Sequence, residues 1–285
     1  RPPLAMRRPI TDTRHGVTRT DPYAWLRDAH WRDAMVDPER LDPAIRDYLE
    51  AENRYAESVM NPLEPLRQSL VTELRGRIRE DDSSVPAPEG PWAYYSRYRE
   101  GGQHPLLCRH PRDGGEEQVL FDGDSEATGT EYFRLGGAAH SPDHRYLAWA
   151  SDRSGAEAFS IRVRDLATGD DLHEVIHPAR GDMAWANDGE SFLYTVIDDE
   201  HRPRWVYRHR VGMPAESDEL VYTERDPGFF LGVDRTESGR YLLIDSHDHT
   251  TSEVRWLPAD DPTAEPRLIA ERERDVEYSV SDHGD

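Results

Sequence analysis

The stretch from Leu135 to Ile176, LGGAAHSPDHRYLAWASDRSGAEAFSIRVRDLATGDDLHEVI, constrains the fold more than any other part of the chain. It reads as four short strands in one unit. A small-residue run, Gly136-Gly137-Ala138-Ala139, leads to a turn at Ser141-Pro142-Asp143, where proline presets φ and the flanking side chains can satisfy turn backbone. Tyr146 to Ala150 is a second apolar run. Ile161 and Val163 then alternate with Ser160, Arg162 and Arg164, the period of a half-buried antiparallel strand. After the Thr168-Gly169-Asp170 turn, Leu172 to Ile176 supplies a fourth, more polar outer strand.

The unit recurs. Asp188-Gly189 lies between Met183-Ala-Trp-Ala and Ser191-Phe-Leu-Tyr-Thr-Val, and Ser238-Gly239 lies between Leu231-Gly-Val and Arg240-Tyr-Leu-Leu-Ile. The grammar restarts at Tyr278 to Gly284. Turns returning every ~45 to 50 residues with about four strands between them are the requirement of propeller blades, each a sheet that cannot bury both faces alone. A β-sandwich with the same spacing is the competing architecture. No blade ends in the Trp-Asp pair of WD repeats.

Ahead of the repeats, Pro9 to Asp28 has neither a helical nor a strand period and reads as an extended arm, with Tyr23, Trp25 and Leu26 as an aromatic anchor. Two helices follow. Asp42 before Pro43 gives an N-cap with proline at the first helical position, and Asn61 before Pro62 repeats that arrangement. Ile45, Tyr48, Leu49, Ala56 and Val59 fall near one face of the first helix, and Leu63, Leu66, Leu70, Leu74 and Ile78 near one face of the second. Both faces need a partner. The character changes at Arg79, which divides the chain into 1–78, arm and helices, and 79–285, propeller. Trp92 to Tyr98, the Gly101-Gly102 turn, Pro105 to Arg109 and Gln118 to Phe121 make a first blade. The expectation is a mainly β fold of about four blades and the start of a fifth, and a chain ending in mid-repeat at Asp285 reads as a fragment.

Composition narrows the function. With a formal charge of −22 and a mean hydropathy of −0.87 the chain disfavours nucleic acid as a partner. No run of about 18 apolar residues occurs, so no membrane partner and a cytoplasmic setting are expected. The chain has no lysine, so its 35 basic residues are all arginine. Cys108, the single cysteine, reads as a small buried hydrophobe.

Local chemistry is sparse. His173-Glu174-Val175-Ile176-His177 matches the H-E-x-x-H zinc pattern, which needs a helix to bring both histidines to one metal. On an outer strand, residues four apart are separated by roughly 13 Å, too far for zinc bonds of about 2 Å. Asp122, Asp124 and Glu126 resemble the opening of a calcium loop, but Ala127 and Phe133 stand where glycine and glutamate belong, so a solvated acidic loop is expected. His247-Asp248-His249 could ligate a metal, but fits a hairpin turn better. No G-x-S-x-G elbow, P-loop or dinucleotide fingerprint occurs. No catalytic residue, metal site or cofactor is assigned, and no substrate-binding residue emerges from the residues alone.

Three stretches, RHGVTRTDPYAWLRD, DYLEAENRYAESVM and HSPDHRYLAWASDRSGAEAFSIRVRDLATG, resemble the N-terminal half of the prolyl oligopeptidase family of serine peptidases. MAWANDGESFLYTV, WVYRHRVG and HTTSEVRWLPAD are similar to its oligopeptidase B branch. The resemblance implies a seven-bladed propeller, of which this chain holds part, and an α/β-hydrolase domain on which the arm and helices pack. It implies a Ser, Asp and His triad after the last blade, outside this sequence, so the chain alone is expected to be inactive. It also implies short, cationic peptides as substrates, cut after Arg or Lys, with the propeller restricting entry. A non-catalytic β-propeller interaction module is the alternative.

Overall fold

The computed structural model describes residues 1–283 and falls into two compact units, Arg1–Arg79 and Glu80–Asp285. In the first unit the arm is a hairpin rather than a featureless extension. Strand β1 (Ile10–Arg14) pairs with β2 (Val17–Asp21) through a turn at His15 and Gly16, whose φ angles of 52° and 75° suit a tight two-residue hairpin turn. Every residue of both strands is exposed, so no apolar alternation marks them. Hydroxyl pairs Thr11–Thr20 and Thr13–Thr18, at 3.0 and 2.9 Å, line one face instead.

The aromatic anchor docks within its own unit. The Trp25 indole N–H donates to the Met6 carbonyl at 2.7 Å, the Arg8 guanidinium lies 4.6 Å over the ring, and the ring meets Tyr48 edge-on. A short helix absent from the sequence reading, α1 (Trp31–Val36), precedes α2 (Pro43–Met60) and α3 (Glu64–Arg75). Asp42 caps α2 by accepting the Ala44 N–H at 2.7 Å. Asn61 does not cap α3, contrary to expectation: its own N–H still donates to the Glu57 carbonyl of α2, and Asn61–Leu63 continue as a 3-10 turn. Ile45 is the one buried residue of α2, whereas Leu49, Val59, Leu63, Leu66, Leu70 and Leu74 stay exposed.

The second unit is a series of antiparallel meanders, each hydrogen-bonded in sequence order. The first is β3 (Ala87–Glu89), β4 (Trp92–Arg97), β5 (Leu106–Pro111) and β6 (Gln118–Asp122). The short helix α4 (Gly123–Ala127) then leads to β7 (Arg134–His140), β8 (Tyr146–Asp152) and β9 (Phe159–Asp165). The third blade contains β11 (Ser191–Ile197), β12 (Pro203–Arg210) and β13 (Glu219–Thr223). The fourth is β14 (Phe230–Arg235), β15 (Tyr241–His247), β16 (Ser252–Pro258) and β17 (Arg267–Leu268). The fifth-blade turn at Tyr278 to Gly284 reaches the limit of the described residues: no strand forms up to His283, and Gly284 lies beyond them.

Blades two and three share a strand. β10 (Ile176–Trp185) pairs with β9 through Ile176 and Ala179 and with β11 through Met183, Ala184 and Trp185, shifting register between. It is therefore the outer strand of one blade and the inner strand of the next. The expected outer strand at Leu172 to Ile176 is reduced to an isolated bridge between Arg164 and Asp171 and the first residue of β10. The intervening Glu174 side chain turns inward, and its carboxylate accepts the Gly212 N–H at 2.8 Å.

The core lies between blades, as two-faced sheets require. Phe121 and Trp149 meet between the first and second blades, Ile161 and Phe192 belong to the core of the second and third, and Leu231, Leu242 and Leu257 fill that of the third and fourth. All seven residues of β8 are buried, which identifies it as a mid-blade strand covered on both faces. A side-chain cluster supports the third blade: His209, fully buried, faces the Asp218 carboxylate at 2.8 Å, which also accepts the Tyr194 hydroxyl.

The small-residue run that leads to the Ser141-Pro142-Asp143 turn is required by packing. A Cβ at Gly137 would lie 2.4 Å from the Gly181 carbonyl oxygen, and one at Gly136 would lie 2.5 Å from the Phe159 ring. Inner strands β7 and β10 thus approach backbone to backbone. Gly137→Ala is expected to destabilise the fold by about 1–3 kcal/mol, the cost of forcing atoms into a packed interior. Urea unfolding measures this, and an unchanged midpoint would remove the close-approach argument.

Candidate functional site

The motifs singled out in the sequence do not converge on one another. His173 and Val175 lie outside the strands and His177 lies on β10, where its Nδ1 is 3.2 Å from the Ser160 hydroxyl. Glu174 is buried against Gly212, so Glu174 and His177 have separate partners. Among the described residues no group of three or more His, Cys, Asp or Glu side chains could hold a metal ion.

Asp122, Asp124 and Glu126 are not a solvated loop. Asp122 caps α4 through the Ser125 N–H and takes both Arg99 Nη groups at 2.8 Å. That contact holds its carboxyl well below the usual range. Asp124 accepts the N–H groups of Gln103 and His104, and Glu126 pairs with Arg153 and Arg164. Once each carboxylate has such a partner, the segment can wind into a helical turn. His247 ends β15 and Asp248 accepts the N–H groups of Thr250 and Thr251, which forms the hairpin turn. Cys108 is buried on β5, and that burial pushes its thiol up to about 11, so it is a packing residue rather than a nucleophile.

Chemistry-bearing side chains collect instead at two seams and one cleft. At the first seam the Tyr94 ring of β4 stacks on His140 of β7 at 3.9 Å, and the Tyr94 hydroxyl meets His144 Nδ1 at 2.8 Å. His140 Nε2 lies 3.1 Å from Glu89, and Arg109 donates to the His144 carbonyl at 2.8 Å. At the other seam Arg272 bridges Glu224 and Glu253, at 2.7 and 3.2 Å, while its guanidinium sits 3.9 Å over the Phe229 ring.

The cleft encloses about 680 Å³ where β7, β10 and β14 bring their inner residues together, with walls that include Gly136, Gly137, Phe159, Arg180, Phe230 and His201. Arg134, at the start of β7, donates to Glu157 at 2.9 Å. Glu157 is positioned by Asp152, whose carboxylate accepts the N–H groups of Ser154, Gly155 and Glu157. Burial pushes the Asp152 carboxyl up, but those N–H donors and the Ser154 hydroxyl outweigh it and hold the group below its ordinary value. Arg180 Nη1 donates to the Leu231 carbonyl at 3.2 Å and lies 3.6 Å from Asp182. Asp182 accepts the Thr195 hydroxyl and, at 2.9 Å, the Val233 N–H. One carboxylate thereby ties inner strands of the third and fourth blades.

Among the described residues no serine, threonine or cysteine lines this cleft. Its residues carry no local motif. The signal available in the sequence was the Gly136-Gly137 pair, a mark of close backbone approach when it falls inside a strand.

A family profile described as the N-terminal beta-propeller domain of prolyl oligopeptidase matches residues 2–285. Dipeptidyl aminopeptidase BI of Pseudoxanthomonas mexicana is 35% identical over 303 residues, a match that takes in 100% of this chain and 40% of that protein. Protease 2 of Moraxella lacunata is 30% identical over 98% of this chain and 40% of its own length. Oligopeptidase B from Leishmania major superposes with a TM-score of 0.89 at 26% identity, over 100% of this chain and 41% of that one. The antipain-bound closed form of oligopeptidase B from Trypanosoma brucei gives 0.87 at 29% identity, over the same shares. The chain thus spans about two fifths of the length of these curated relatives.

The seam around His144 makes stability depend on pH. Burial first, then the neighbouring His140 and Arg109, lower the His144 ring below its ordinary value, against a smaller opposing effect of Glu89 and Asp143. A histidine depressed in the folded state binds its proton more readily in the unfolded chain. Its stability contribution is complete above the unfolded value of about 6.5 and is lost as pH falls from there toward the folded value. Melting temperatures at pH 7.5 and 5.5 should therefore fall further for the wild type than for His144→Asn, a residue that tolerates the left-handed backbone at this position. Equal drops would exclude the histidine as the source.

Proposed function

Because this chain belongs to the prolyl oligopeptidase family of peptidases, as its N-terminal propeller portion, we propose that it controls entry to a serine peptidase site carried by a C-terminal α/β-hydrolase domain. The observation that carries this reading is the whole-chain match to proteins more than twice as long, together with a cleft that, among the described residues, no serine, threonine or cysteine lines. In such an enzyme a serine attacks the peptide carbonyl with histidine as base, and water releases the acyl group. The propeller's part is to admit short chains and exclude folded ones.

The exposed leucines of α3 and of the 3-10 turn before it support a partner domain on the first unit. Leu63, Leu66, Leu70 and Leu74 are spaced as one helical stripe and each is close to half exposed or more. The formal charge of −22 favours cationic peptides, hence cleavage after Arg or Lys. A cytoplasmic setting fits the absence of disulfides, with Cys108 free and buried. The 35% identity to a dipeptidyl aminopeptidase favours a second reading, release of dipeptides from the amino end.

Both readings are decided with the full-length parent protein. Incubated with peptides carrying internal Arg, Lys or Pro, it should cut after Arg and Lys and lose activity to a serine-directed reagent. Dipeptide release from the amino end would select the second reading, and hydrolysis by residues 1–285 alone would overturn the division of labour. In the parent protein, Leu66→Glu with Leu70→Glu should lower stability by several kcal/mol, since each would place an unpaired charge in a buried interface. A melting temperature like that of the wild type would mean that the stripe faces water there as well.

A further inference from the structure

We propose that the cleft at β7, β10 and β14 is a carboxylate-binding subsite that holds the C-terminal end of a short peptide through Arg134 and Arg180. The proposal rests on the reading of the parent protein as a peptidase and deepens it by naming which end of the substrate the propeller contacts.

A guanidinium carries five N–H donors and no acceptor. Arg134 uses Nη1 on Glu157 and Arg180 uses Nη1 on the Leu231 carbonyl. Among the described residues no protein acceptor takes Nε or Nη2 of either arginine. The acceptors in the cleft are largely committed: Asp182 serves Thr195 and Val233, and Glu157 gives one oxygen to Arg134. His201 adds an N–H in either tautomer. The lining is thus short of acceptors, in a protein whose formal charge is −22.

That combination selects the occupant. A simple anion is repelled by the field of the whole protein before it reaches the cleft, whereas a peptide with a cationic side chain and a free carboxylate satisfies both. The carboxylate is a planar acceptor of the shape that a guanidinium grips with two parallel hydrogen bonds. Phe159 and Phe230 offer apolar walls to the side chains beside it. Both arginine side chains are about half exposed, at 53% for Arg134 and 46% for Arg180, so added salt weakens the grip without abolishing it.

The test uses the full-length parent with matched peptides of one sequence, ending either in a free carboxylate or in an amide. The carboxylate peptide should have a KM about tenfold lower, the size of a charge-assisted hydrogen bond, and the gap should narrow at high salt. Arg180→Gln and, separately, Arg134→Gln should bring the ratio of the two KM values toward one, while Arg180→Lys retains part of it. Equal KM values for the two peptides, or a ratio untouched by both glutamine variants, would overturn the subsite. If neither peptide is cut, the peptidase reading fails instead. Fluorescence anisotropy of the labelled carboxylate and amide peptides on the same protein then decides the subsite by itself, tighter binding of the carboxylate form supporting it and equal binding refuting it.

Discussion

The blades of this protein bury their apolar faces against one another, and the rest of the structure depends on how closely neighbouring sheets can approach. Near the inner strands the limit is set by backbone, since Gly137 stands against the Gly181 carbonyl and Gly136 against the Phe159 ring. Farther out, larger side chains take over, as where Trp149 of β8 meets Phe121 of β6. Sheets that converge inward and splay outward need small residues at the inner edge and large ones behind them. That gradient sets the spacing of the inner strands, and with it the shape of the cleft between them.

Charge serves the same geometry. Asp182 joins Thr195 of one blade to Val233 of the next, and Glu224, Arg272 and Glu253 do similar work at the outer seam. These carboxylates are buried or half-buried with hydrogen-bonding partners in place, the condition under which buried charge is tolerated. An arginine-only set of cations suits this role, because the guanidinium can grip two acceptors at once, as Arg99 does with Asp122.

What could be read from the sequence follows from which interactions are local. Strands β8, β9, β11 and β15 were visible because burial of one or both faces leaves an apolar pattern in the residues themselves. The cap at Asp42 was visible because it acts over two residues. The β1–β2 hairpin was not, because its strands are exposed on both faces and held by backbone pairing and threonine hydroxyls. Asn61 looked like a cap because the Asn-Pro pair is a local signal, but its N–H was already in use one turn earlier. The cleft was the least legible feature. Arg134, Arg180 and Phe230 lie far apart in the chain and meet only through the circular order of the blades, and residue spacing cannot encode that.

The shared strand β10 has a mechanical meaning. A hydrogen-bonded ladder runs from β7 through β10 to β13, with register shifts along β10, so the second and third blades are strands of one seven-stranded sheet. The other boundaries rely mainly on side chains, an aromatic and histidine stack on one side and, on the other, a salt-bridge network joined by the backbone bond from the Asn187 N–H to the Ala259 carbonyl. Those two joints have fewer backbone hydrogen bonds to resist bending than the ladder has. That one sheet carries both Arg134, on β7, and Arg180, on β10, so backbone bonding fixes the spacing of the two guanidinium-bearing strands.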